Sequence, residues 1–341
     1  MKSPFSSSSF PRKRKSRIAA LRRLPWVPAF AGTADYLRLA FALLLAASLS
    51  PAPARGETKI TVGTAGTAAA ALFAAKHEGF FAKRGLDVTI TMIRLNPDLP
   101  PALIAGSLDV AFMTTPTFFQ AIEGGIDLVA FAGGTVTSRQ PSDQAVIAAN
   151  GVQIKTAQDF LGHKIGVPGI GAGLHVLFRY WLDQNGVDYN RIDFAEISMP
   201  QMRDALAART IDAVVAVEPF VSQMLGAGVG YKALALSDAI PTGKPMVIYT
   251  ATRDWAAQHA PEIAAFRAAI LEGAAFAKTE PDKTRDDVNI YAKLPPQIMK
   301  TIAISEQVPA LETEQLAWWS AVMKKQHMLQ REIDVPKLLV K

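Results

Sequence analysis

An α/β fold of two lobes is predicted by three observations in this 341-residue sequence. Short β-rich apolar segments alternate with helical ones, the pattern of parallel sheets with helices between the strands. Two further apolar segments, 144–149 and 245–251, divide that series and are candidate crossover strands. The chain is also longer than one hydrophobic core usually serves, so two lobes around a cleft are expected.

Taken in order, strands are predicted at 59–63, 86–92, 109–113, 128–132, 164–167, 192–197, 212–217 and 231–236. Helices fill the gaps. Thr115 followed by Pro116 has the form of an N-cap with proline at the first helical position, and 156–159 and 198–201 have the form of capping boxes. The spacing of Leu174, Leu177, Phe178, Trp181 and Leu182 predicts a helix over 173–185 with that face buried and His175, Arg179 and Asp183 opposite. From Arg253 onward the chain is expected to be helical almost throughout, with Ile263, Phe266, Ile270 and Ala274 on one amphipathic helix and Trp318 and Trp319 packing the last one. Phe118 and Phe119 are expected in the core.

The formal charge of +6 is carried by the first segment. Ten of the 36 Lys and Arg and one of the 30 acidic residues fall in 1–56, leaving 26 basic against 29 acidic residues and a net of −3. The electrostatic footprint of a nucleic-acid binder is therefore absent. Residues 1–56 read as a leader: a basic stretch, an apolar run at 39–49, then Ala52-Pro53-Ala54, the layout of a signal peptide cleaved near 54–56. The apolar run is too short to span a bilayer. The stretch ahead of it is too long for a usual basic region and points to a true start near Leu37, while Arg22-Arg23 lies too far upstream to indicate twin-arginine export. There is no cysteine, which excludes a lipid-tethering motif, disulfides, thiolate metal sites and a cysteine nucleophile. A freely diffusing periplasmic protein is expected, with no cofactor and no metal.

An open parallel sheet binds ligands at the carboxyl ends of its strands, where helix N-termini present free N–H groups. The candidate ligand residues therefore lie in those loops: Gly63, Thr64, Gly66 and Thr67; Thr114 and Thr115; Gly134; Gly169, Gly171 and Gly173; and Met199. Glycines allow close backbone approach, hydroxyls supply short donors and helix ends contribute partial positive charge. Such a cleft suits a small ligand with a carboxylate, sulfonate or similar anionic head group.

Three motifs resemble the substrate-binding proteins of the nitrate, sulfonate and taurine ABC importers, the SsuA/THI5-like and NMT1-like group. They are EGFFAKRGLDV at 78–88 followed by AGSLDV at 105–110; LGHKIGVPGIGAG at 161–173; and the run from Met199-Pro200-Gln201-Met202 through Ala205-Leu206 and Ile211-Asp212-Ala213 to Glu218-Pro219-Phe220. The resemblance covers roughly 58–290. It implies a type II periplasmic-binding-protein fold, two α/β lobes joined by two crossover strands, with lobe one at 57–145 and 250–341 and lobe two at 150–245. It also implies a monomer that closes on its ligand and is recognised by an ABC permease in the inner membrane.

Other residues carry two readings each. The run Gly169, Gly171, Gly173 follows a strand and opens a helix but lacks the spacing of a dinucleotide fingerprint, leaving a ligand cradle or a structural turn. His175 either touches the ligand or sits on a solvated helix face. Glu218 accepts a ligand amino group or caps a helix. Arg139 reaches an anion or lies in a solvated loop, and Tyr249 lines the cleft floor or packs in the core. His77, His163, His259 and His327 lack metal-ligand spacing. An enzyme reading, by analogy with pyrimidine synthases that use a cysteine-rich iron motif, meets neither the cysteine content nor the export signal. A periplasmic sensor for a membrane kinase remains as an alternative use of the same fold.

Overall fold

The computed structural model describes residues 57–139 and 142–340; the leader, signal peptide and start-site expectations lie outside the described residues. Ten strands form two five-stranded sheets. They are β1 Thr58–Thr64, β2 Leu86–Met92, β3 Val110–Thr114, β4 Leu128–Val136, β5 Gln144–Ala149, β6 Lys164–Val167, β7 Asp193–Glu196, β8 Ala213–Val217, β9 Gly230–Leu234 and β10 Pro245–Thr252. All ten coincide with predicted segments to within a few residues at the ends.

The first sheet has the order β2-β1-β3-β10-β4 and the second β7-β6-β8-β5-β9. Within the first, β1 runs parallel to β2 and β3 while β10 is antiparallel to β3 and β4. The second repeats this plan, with β6 parallel to β7 and β8, and β5 antiparallel to β8 and β9. Each predicted crossover strand is thus an antiparallel member of a sheet. Strands β3, β4 and β5 are buried along their whole length, and β4, at the edge of the first sheet, is covered by the C-terminal segment that bonds to it.

The chain passes between the sheets twice, from β4 to β5 and from the end of β9 to β10, and Thr137 ties the two passages together. Its N–H donates to Lys244 O at 2.8 Å and its carbonyl accepts from Gly243 N at 2.7 Å. Its buried hydroxyl donates to Pro241 O at 2.7 Å and accepts from Lys244 N at 3.0 Å. The C-terminal part extends the first sheet: Gly133 N donates to Pro309 O, Val308 N to Gly134 O and Val136 N to Glu306 O.

Several local expectations need correction. The N-cap of helix Thr115–Glu123 is Thr114, whose hydroxyl accepts from Thr117 N, so Pro116 is the second helical residue. A capping box is present at Thr156 and Asp159, but Ser198 donates its hydroxyl to the Gln201 side chain and opens only a 3-10 turn. Helix Gly173–Gln184 forms as predicted, yet His175 on its supposed solvent face is 3% exposed, because Phe194 packs edge-on against the imidazole. Arg179 and Asp183 are covered by the chain's end: Arg179 donates to Gln326 O and Lys325 pairs with Asp183. Phe118, Phe119 and Trp319 are fully buried, and Trp318 stacks edge-on against Tyr180. Helix Ala260–Thr279 buries Ile263, Phe266 and Ile270.

Candidate functional site

The strand ends of the two sheets face one another across a cleft with a cavity volume of about 60 Å³. β1 delivers Thr64 and the loop through Gly66 and Thr67; β3 delivers Thr114; the loop after β6 delivers Gly173; and the turn after β7 delivers Met199. These six predicted residues line the cavity together. The apolar walls come from Phe112, Leu174, Val217, Phe220, Met246 and Val247.

Most of the polar groups are already engaged. Thr64 donates its hydroxyl to Gly66 O at 3.0 Å. Thr114 Oγ1 shares a hydrogen bond with Thr117 Oγ1 and accepts from Gly173 N at 3.1 Å, a bond from one sheet's strand end to the helix N-terminus of the other. Two further N–H groups of the glycine run are engaged as well: Gly171 N donates to His175 Nδ1 at 2.9 Å and Ala172 N to Gly169 O at 3.1 Å. Gly169 and Gly171 lie at φ +143° and +81°, where a side chain is strained, and close on the Pro97 and Gln120 side chains. The run therefore acts as a contact between the two halves.

The other predicted residues are not among those lining the cavity. Gly63 and Gly134 sit within the first sheet, where an added Cβ would meet Leu108 or Phe112. Thr115 is fully buried with its hydroxyl donated to Pro245 O at 2.5 Å. Arg139 is exposed on the passage between sheets. Burial, with Arg179 adding, depresses His175 to about 3, so it is a neutral imidazole holding the Gly171 turn. Glu218 caps the following helix, accepting from Ser222 N at 3.1 Å and Ser222 Oγ at 2.8 Å, and burial raises its pKa. Tyr249 is a core residue between Phe112, Phe131 and Phe266; its hydroxyl has no partner among the described residues, and burial raises its pKa well above the usual value.

Five polar residues of the cavity were not among the candidate ligand residues: Asn96, Thr135, Asp143, Gln144 and Ser305. Asp143, 3% exposed on the passage into β5, accepts from Ser305 Oγ at 2.5 Å and Ser237 Oγ at 3.2 Å. Burial pushes its pKa up to about 6, against the lowering effect of the two serine hydroxyls, and Glu218 adds to the rise. Thr67 Oγ1, Thr135 Oγ1 and Gln144 Oε1 are buried without a partner among the described residues. The lining contains no Lys, Arg or His among the described residues, so no side-chain cation stands where an anionic head group was expected.

The model of the NMT1-like family matches residues 54–292. The bicarbonate transport ATP-binding protein CmpC of Synechocystis is 29% identical over 61% of this chain and 33% of its own length. The nitrate/nitrite binding protein NrtA of Nostoc is 25% identical over 66% of this chain and 55% of its own length. The chain thus spans about half, or less, of these curated relatives. Among solved structures, the alkanesulfonate-binding protein SsuA of Xanthomonas axonopodis bound to MOPS superposes with a TM-score of 0.72 at 18% identity, covering 84% of this chain and 99% of that one. The fold is that of the periplasmic binding proteins, and most of the similar proteins are binding proteins.

Proposed function

The chain belongs to the NMT1-like family, and on that premise we propose that it is the solute-binding protein of an ABC importer. It captures a small organic molecule in the periplasm and presents it to a permease in the inner membrane. The observation that carries this reading is the cleft itself. Both sheets contribute strand ends to one cavity, and the chain passes between the sheets along the paired passages tied by Thr137. A cavity of about 60 Å³ is smaller than the usual ligand pocket of roughly 300 Å³ or more, so a solute enters by separation of the lobes and is enclosed when they close. Ligand contacts on both lobes favour the closed form, the state a permease can distinguish.

We assign lobe one to 57–145 and 250–341 and lobe two to 150–245, export to a cleaved leader, and function to a monomer without catalysis, metal, cofactor or nucleic acid. Thermal-shift screening of the purified protein against a small-solute library tests the proposal. A ligand that binds only the folded state raises the melting temperature with its concentration over Kd. A library without a stabilising solute, or turnover of one, would refute it.

A further inference from the structure

We infer that the cleft selects a solute presenting an N–H donor group, cationic or neutral, and that Asp143 is the residue that reads it. This inference rests on the solute-binding reading above and concerns the same site.

Three features carry it. First, the only ionisable side chain lining the cavity among the described residues is a carboxyl. A nitrate, sulfonate or carboxylate placed beside Asp143 meets a like charge in a poorly hydrated site, where such repulsion is strongest. Glu218 stands behind it, its N–H donating to Asp143 O at 2.8 Å, and reinforces the negative field.

Second, four of the donors an anion would use are spent. Gly171, Ala172 and Gly173 give their N–H groups to His175, Gly169 and Thr114, and Thr64 gives its hydroxyl to Gly66.

Third, acceptors remain open. Gln144 is 3% exposed and its Oε1 has no partner among the described residues. Each Asp143 oxygen takes one serine hydroxyl, and a carboxylate oxygen has room for a second donor. The free hydroxyls of Thr67 and Thr135 serve either polarity and do not decide between them. Burial without a cationic partner from the protein leaves Asp143 raised, and a ligand N–H supplies the missing donor.

Four compounds sharing a three-carbon skeleton test this: propylammonium, propionamide, propionate and propanesulfonate, titrated into the purified protein and followed by ligand-observed NMR. The two nitrogen compounds are expected to bind about tenfold or more tighter than the two anions. Asp143→Asn is expected to weaken propylammonium by about tenfold and propionamide by less. Should that variant fail to fold by circular dichroism, Gln144→Met is expected to weaken both nitrogen compounds. Tighter binding of either anion, or nitrogen compounds indifferent to both substitutions, overturns the inference and leaves solute capture standing. If none of the four binds, the library hits decide. A hit with an N–H donor supports the inference, one without it overturns the inference alone, and the absence of any hit overturns solute capture as well.

Discussion

Asp143 and Ser305, 162 positions apart, are joined by a hydrogen bond of 2.5 Å between Oδ2 and Oγ. The carboxyl lies on a passage between the two sheets, and its other oxygen accepts from Ser237 on the side of the second sheet. One buried acid thus links the C-terminal segment, the passage between the sheets and the second sheet at the cleft.

This placement makes stability depend on pH. A folded-state pKa of about 6 lies above the ordinary aspartate value of 3.8, so the protonated acid favours the folded protein. Its contribution is complete below about pH 4 and is lost as pH rises through about 6. Asp143→Asn removes the penalty, and relative to wild type it should gain up to about 3 kcal/mol between pH 4 and 8, less whatever the serine bonds lose. Denaturation curves across that range measure the difference, and Asp287, also raised to about 6 by burial, is common to both proteins and cancels. A difference constant with pH would contradict the assignment.

The paired passages between the sheets are held by Thr137. Thr137→Val removes a hydroxyl that satisfies both Pro241 O and Lys244 N in the interior. The expected cost is about 1–3 kcal/mol in urea unfolding, because two backbone groups lose a partner. Wild-type stability would show that the main-chain bonds of Thr137 suffice.

The proposed closure brings Gly173 against the first sheet. Its N–H meets Thr114 Oγ1 across the cleft, and an added Cβ would stand 3.2 Å from Thr114 Cβ and 2.6 Å from Met246 Cε. Gly173→Val should weaken solute binding by about tenfold or more while circular dichroism stays native, since the bulk opposes the closed state alone. Binding at wild-type strength would mean that the closed form does not use this contact.

The strands were legible because each is a short apolar run bounded by turn residues, and β2, β5 and β6 match to the residue. Part of the cavity was legible for a related reason: Thr64, Thr114 and Gly173 end strands or begin helices, positions that local pattern marks. Asp143 and Ser305 carry no such mark. Their meeting is a property of the tertiary fold, and Ser305 lies beyond the segment that the family model matches. His175 misled for the same reason, since a helical pattern cannot show that Phe194 and the residues around Gln326 cover the side opposite the core. Adjacent threonines hid the true cap: Thr115 precedes a proline, yet the hydroxyl of Thr114 reaches the helix N–H and that of Thr115 turns to Pro245.

The central claim is that two lobes close on a solute, and small-angle X-ray scattering tests it most directly. With the strongest stabilising solute from the screen at saturation, the radius of gyration of the wild-type protein should fall relative to the ligand-free protein, and that of Gly173→Val should fall less. Scattering curves that superpose with and without a bound solute would contradict closure as the mechanism.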